Sequence, residues 1–438
     1  MIPDAKVPTA VPVRRREIVG WAMFDFANSS YTTLIVTVAF SVYFTKLVAP
    51  GASADFLWSV GIVVSNLFVM LTSPIVGAVA DDSGRKKVFL AGTWLLCVAG
   101  TALLWFVLPG QVYLALTLFV VSNIAFAMGE NLAGAFLPEI STPANIGRIS
   151  GFGWGLGYFG GLLCLLACWP FLSGGFTLEN VPALRTAWLV TAAFFLISGL
   201  PTFLFLRERA PRAPQWSLAA SARAGFGHLR ETTRSLRHFS ELVRFLIVFF
   251  VFSCGLMTVI AFASIFAERT FGFTSGELIV MFMVLQICSA GGAFLFGSIQ
   301  DRLGARRTIQ ITLVLWILIS AAAFLAQSKA VFWGVAIASG LGIGSLQSAS
   351  RAMVGLFAPV AKSGEFFALW GLAGKGAYLL GPLVFGSLSS LTGSQRIAIL
   401  VNGAFFLIGL IGMQTIHEDR GHQAAEAWDR RSDGAVAP

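Results

Sequence analysis

Asp25, Glu130, Arg351 and Lys375 each stand inside a long apolar run of this 438-residue sequence. A charged side chain at the centre of a bilayer costs about 2.5–3.5 kcal/mol by insertion scales, so each calls for a partner or a task. Two are acids and two are bases, so they can pair inside a water-filled cavity instead of standing as isolated buried charges. Which acid meets which base is open at this level. Burial and a neighbouring cation tune a carboxylate's proton affinity in opposite directions, and proton coupling needs such tuning. Asp25 and Glu130 are therefore candidates for a proton or substrate role, against the simpler alternative of structural pairing. A guanidinium fork suits either a substrate carboxylate or an acid partner, which makes Arg351 a candidate anchor, and Lys375 can serve either purpose. Asn28 and Ser29, one turn beyond Asp25 on the same helix face, join the candidates together with Asn131 and Gln347.

Other chemistries lack their residues. The four histidines, His228, His238, His417 and His422, fall in linker or tail, so no metal or nucleophile constellation reaches the apolar core. The five cysteines sit in apolar runs without CxxC spacing. The run from Gly151 to Gly161 has GxGxxG-like spacings, but it lies inside an apolar span and not after a strand, so close helix packing accounts for it better than a nucleotide loop. No cofactor, metal or enzymatic activity is expected.

These charges must be positioned by helices. The chain is 56% hydrophobic and 12% charged, with a mean hydropathy of +0.80, outside the range of soluble domains. Apolar stretches long enough to cross roughly 30 Å of hydrocarbon recur throughout. The pattern predicts an all-α membrane protein of twelve spans, at about 18–48, 56–80, 88–108, 112–137, 149–172, 186–206, 245–267, 277–299, 308–327, 330–357, 366–391 and 396–416. The net charge of +9 follows the topology of the connections. One alternating set carries Arg14 to Arg16, Arg85 to Lys87, Arg148, Arg302, Arg306 and Arg307, whereas the other carries only Lys46, Arg185, Arg269, Lys329 and Arg396. This bias places the first set and both termini in the cytoplasm and speaks for lipid, not nucleic acid. The first helix reads as uncleaved, because its apolar run is too long for a signal peptide and is broken by Asp25 and Asn28. Residues 1–17 form an N-terminal tail, 18–206 and 245–416 two six-helix bundles, and 417–438 a C-terminal tail. The linker 207–244 has an amphipathic pattern, with Leu218, Phe226, Leu229 and Leu236 opposite Arg223, Arg230, Arg234 and Arg237, as expected of a segment resting on anionic headgroups.

An internal repeat supports the division. Gly77, Asp81 and Gly84 recur 220 positions on as Gly297, Asp301 and Gly304, and Glu130, Gly134, Phe136 and Pro138 recur 221 positions on as Arg351, Gly355, Phe357 and Pro359. Parallel six-helix repeats are the plan of the major facilitator fold. The turn Gly77-Ala-Val-Ala-Asp81-Asp-Ser-Gly84-Arg85-Lys86 resembles the signature loop of that superfamily. Trp21 to Ser29, Leu137-Pro138-Glu139, Gln347 to Arg351, Glu365-Phe-Phe, Gly374-Lys375 and Gly381-Pro382 are similar to the vacuolar amino-acid effluxer branch and its bacterial relatives. The sequence departs from the superfamily average by carrying Glu130, not a basic residue, in helix four.

The resemblance implies a secondary transporter of a small polar solute, amino acids above all, working by alternating access and proton coupling. It implies a cavity lined by helices one, four, seven and ten, with three, six, nine and twelve facing lipid. It also implies a gating role for the loop residues Gly77, Asp81, Gly84, Arg85, Lys86, Asp301, Gly304 and Arg306. The expected setting is a bacterial inner membrane, and the expected partners are the solute, protons and the bilayer around a monomer. A carrier of lipids or amphipathic solutes, or a non-transporting receptor, stands as the rival reading.

Overall fold

A computed structural model describes residues 12–51, 53–209 and 236–435. Twelve helices among them are long and apolar enough to cross a membrane: α1 (Arg15–Val48), α2 (Ala54–Ser83), α3 (Lys86–Phe106), α4 (Val112–Ile140), α5 (Ile146–Leu172), α6 (Val181–Phe205), α7 (Ser240–Phe271), α8 (Gly276–Leu303), α9 (Ala305–Leu325), α10 (Lys329–Phe357), α11 (Val360–Thr392) and α12 (Gln395–Gln414). Each matches a predicted span, most of them starting a few residues earlier than predicted. The earlier starts take Lys86 and Lys87 into α3, Arg185 into α6, and Arg306 and Arg307 into α9. Most of the proposed amphipathic linker segment, and the N-terminal tail before residue 12, lie outside the described residues.

Backbone polar groups have no water to bond in hydrocarbon, so every span closes its own ladder as a helix. Internal prolines such as Pro74 in α2 and Pro382 in α11 are tolerated because neighbouring helices shield the loosened turns. In α1 the winding departs from α geometry, with π-helical stretches at Thr32–Val38 and Phe44–Val48. Such widened turns recur at functional positions, and here Thr32, Thr33, Val36 and Thr37 line the central cavity.

The six helices of each half pack into a bundle, and the halves meet along two equivalent seams, α2 on α11 and α5 on α8. In each seam the second helix of one half crosses the fifth helix of the other. The repeated glycines explain how close the helices come. A Cβ at Gly77 would strike the backbone of Gly364, and one at Gly297 would lie 2.7 Å from the carbonyl oxygen of Gly147. Gly84 then ends α2 in the left-handed region at φ 59°, a conformation a side chain disfavours.

The few basic residues at the far end have local tasks. Arg185 donates to the Trp105 carbonyl that ends α3, and Arg396 Nη1 donates to the Phe324 carbonyl near the end of α9, at 2.8 Å. Each puts a cation where the helix dipole is negative. Lys329 pairs with Glu277 at 2.8 Å.

The segment read as a C-terminal tail instead contains a further helix, α13 (Glu418–Ala435), under the second half. Glu418 accepts the Ala305 and Arg306 N–H groups that open α9, and Asp429 accepts from Val360 and Ala361. Trp428 packs on Phe239 and beneath the Lys362 ammonium. No helix is expected of this stretch from the sequence, and what the helix docks against is a tertiary matter.

Candidate functional site

Between the halves lies a cavity of about 450 Å³, within the size range of small-molecule sites. Asp25, Asn28, Ser29, Glu130, Asn131, Gln347, Arg351 and Lys375 all line it. The sequence candidates therefore converge, although they come from α1, α4, α10 and α11. Helices α2, α5, α7 and α8 also contribute, as do Ser320 of α9 and Asn402 of α12. The lining is thus broader than four helices, and it corrects the expectation that α9 and α12 face lipid alone.

The four charges form two pairs, and both cross between the halves. Arg351 Nη1 lies 2.6 Å from Asp25 Oδ2, and Lys375 Nζ lies 3.6 Å from Glu130 Oε2. The first pair sits in a built socket. Arg351 Nε donates to Ser150 Oγ at 3.1 Å and Nη2 to the Ser150 carbonyl at 2.8 Å. Its guanidinium lies over the rings of Trp21 and Trp154, at 4.7 and 5.2 Å. Trp21 is itself held by its indole N–H donating to the Ala133 carbonyl at 2.7 Å. Gly153 makes room: a Cβ there would intrude on Asp25, Arg351 and Trp21 together. The glycine-rich run thus packs helices as expected, and one of its members clears the ion pair.

Around the pairs, Ser29 donates to its own helix at the Asp25 carbonyl, and Asn131 Nδ2 donates to Ser73 Oγ at 2.8 Å, tying α4 to α2. Tyr158 donates to Gln347 across the interface. Several lining atoms are buried with no hydrogen-bond partner among the described residues, including Asn28 Oδ1, Asn131 Oδ1, Trp154 Nε1, Ser253 Oγ and Trp370 Nε1. Buried polar groups are normally satisfied, so these are free valences for a ligand or water. Beyond them the lining turns aromatic, with Phe126, Phe252, Phe266, Phe332 and Phe385.

At the end of the bundle that carries the basic loops and α13, several of the residues expected to gate make contacts between the halves. Asp81 accepts from the backbone N–H groups of Gly364 and Glu365, at 3.0 and 2.9 Å, at the start of α11. Asp301 accepts from the Arg148 N–H at 3.2 Å, at the start of α5. A carboxylate at a helix N-terminus satisfies orphan donors and complements the dipole. Lys86 is fully buried, not a solvated loop charge. It lies 2.6 Å from Glu139, 3.5 Å from Asp81, and donates to Ser363 Oγ at 2.8 Å. Arg306 instead turns to its own half, donating from Nε to the Met413 carbonyl at 3.1 Å. Arg85 N-caps α3, and Gly304 separates α8 from α9 at φ 87° beneath Glu418. Nothing in the sequence paired Glu139 and Ser363 with Lys86, because they stand 53 and 277 positions away from it.

Among the described residues, no group of His, Cys, Asp and Glu could hold a metal ion.

Comparison with known proteins agrees with this architecture. The sequence profile of a family described as "Vacuole effluxer Atg22 like" matches residues 52–426. The chain is 25% identical over 415 residues to the uncharacterized MFS-type transporter YxiO of Bacillus subtilis, covering 91% of this chain and 94% of that one. It is 23% identical to Autophagy-related protein 22 of Kluyveromyces lactis, covering 85% and 81%. It spans about half, 49%, of Autophagy-related protein 22-1 of Neosartorya fischeri, at 26% identity. Among solved structures, the human organic anion transporter MFSD10 superposes with a TM-score of 0.73 at 17% identity, covering 91% of this chain and 99% of that one. The transporter FucP in its outward conformation gives 0.71 at 14% identity, covering 91% and 98%. At such identities the structural likeness carries the major facilitator fold alone.

Proposed function

This chain belongs to the vacuole effluxer Atg22-like family of major facilitator transporters, multi-pass membrane proteins and not enzymes, and on that premise we propose that it carries small zwitterionic solutes, amino acids, by proton-coupled alternating access. The observation that carries this reading is the pair of acid–base contacts, Asp25–Arg351 and Glu130–Lys375, that join the halves at one cavity. A solute bearing both charges can exchange with one such contact while keeping every buried charge compensated. Two carboxylates in the cavity provide proton acceptors whose charge biases the states differently, as coupling requires.

The basic, latched end is the cytoplasmic end, with both termini on the cytoplasmic side of a bacterial inner membrane, and the protein acts as a monomer. Loop charge supports that orientation. With the cytoplasmic latch closed, the cavity belongs to the outward-facing half of the cycle. Rocking of the halves about the cavity then requires the contacts of Asp81, Asp301 and Lys86 to release. A lipid carrier would be favoured by charges turned away from the cavity, whereas all four line it.

The test is exchange of radiolabelled neutral amino acids in proteoliposomes, with and without an imposed pH gradient. Exchange that a gradient converts to accumulation is expected. Silence across all amino acids, with transfer of a labelled lipid, would overturn the reading.

A further inference from the structure

We propose that the two ion pairs have separate tasks: Asp25–Arg351 is the tie between the halves, and Glu130–Lys375 is the docking site, taking the solute's ammonium on Glu130 and its carboxylate on Lys375. This rests on the amino-acid reading and assigns its residues.

Arg351 is the group that sequence chemistry nominates as a carboxylate anchor, yet each of its three nitrogens is already engaged. Nε, Nη1 and Nη2 all serve partners in the opposite half, at Ser150 and Asp25. Ser150 is fixed in turn by donating its hydroxyl to the Ser348 carbonyl at 2.8 Å. Trp21 and Trp154 pack on the guanidinium, and its side chain is 4% exposed. An incoming carboxylate would have to reach the two remaining Nη N–H groups past these rings, and turning the guanidinium outward would strand Asp25 and the Ser150 carbonyl.

Lys375 and Glu130 differ in each respect. Their side chains are 21% and 26% exposed. Their separation of 3.6 Å exceeds the 2.7–2.9 Å of a strong charge-assisted bond, so the pair is loose. Among the described residues, the other contact found for the Lys375 ammonium is the Phe126 ring at 5.8 Å. The unbonded lining atoms on these two helices sort by chemistry. Asn131 Oδ1, an acceptor, follows Glu130 on α4, and Trp370 Nε1, a donor, precedes Lys375 on α11. With Glu130 and Lys375 themselves, α4 thus offers acceptors and α11 donors, the complement of a zwitterion. The docked solute bridges the halves in place of the loose pair. Opening of the latched end then falls to Asp25, since protonating it removes the charge that holds Arg351.

The experiment uses the full chain in nanodiscs. Free L-amino acids are screened for binding by thermal shift and titration, and the best binder is compared with its carboxamide and its N-acetyl form. The wild type should prefer the free amino acid over both by about tenfold or more, the loss expected for one hydrogen bond to a charged group. Lys375→Gln should erase the preference over the carboxamide and Glu130→Gln the preference over the N-acetyl form, while Lys375→Arg and Glu130→Asp restore them. Arg351→Lys should keep both preferences and instead lengthen the distance between spin labels at Val88 and Leu303, exposed positions in opposite halves at the latched end. Carboxamide discrimination that survives Lys375→Gln, or is lost in Arg351→Lys, overturns the division of tasks. A wild type that binds no free amino acid overturns the amino-acid reading itself, so the two failures are distinct.

Discussion

The carboxylates of Asp81 and Asp301, 220 positions apart, each reach across the interface to the first turn of the fifth helix in the opposite half. The two contacts are equivalent in position and unequal in depth. Asp81 takes two N–H groups and the buried Lys86, whereas Asp301 pairs with Arg148, whose side chain is 68% exposed.

The inequality sets the first prediction. Losing one partner of a buried charge cluster costs about 3–5 kcal/mol, against about 0–1 kcal/mol for an exposed pair. Asp81→Asn should therefore lengthen the Val88–Leu303 spin-label distance far more than Asp301→Asn does. Equal effects would mean that burial does not grade the latch.

Close helix approach makes a second prediction. A Cβ at Gly160 would lie 2.6 Å from the carbonyl carbon of Phe26 and 2.8 Å from its Cα, backbone atoms that cannot rotate away, whereas one at Gly92 meets nothing within 4 Å. Overpacking of this kind costs about 1–3 kcal/mol. Gly160→Ala should lower the apparent melting temperature by several degrees, and Gly92→Ala, which adds helix propensity without a clash, should leave it unchanged or slightly raised.

Proton coupling can be separated from binding. Asp25→Asn keeps the cavity's shape and the Glu130–Lys375 pair but removes a titrating charge. It should abolish accumulation driven by a pH gradient while sparing exchange of labelled amino acid in proteoliposomes. Glu130→Gln, which alters the docking pair, should depress both. Intact accumulation in Asp25→Asn would remove Asp25 from the coupling step.

The C-terminal helix α13 reaches the loop before α11, and the start of α11 is what Asp81 holds. Trp428→Ala removes a half-buried ring from Phe239 and Lys362 and should cost about 1–2 kcal/mol. Hydrogen exchange should rise at residues 236–239 and 358–365. Unchanged protection there would show that α13 rests on the bundle without bracing it.

The sequence by itself determined the twelve spans, the two halves, the charge bias and the identity of the four intramembrane charges. All of these are local or periodic signals: a helix needs its own residues to be apolar over some 30 Å, and a duplication leaves a constant offset. The glycine–aspartate–glycine repeat was equally visible, but its geometry was not. That Gly77 permits contact with Gly364, and Asp81 caps the helix behind it, depends on residues more than 280 positions away. Only the tertiary structure decided that Asp25 meets Arg351 and Glu130 meets Lys375. The opposite pairing satisfies charge balance as well, and Coulomb attraction carries no memory of chain order. Depth separates the two pairs: Ser150, Gly153 and Trp154 of α5 and Trp21 of α1 close around Arg351 on α10, whereas the Lys375 side chain stays 21% exposed.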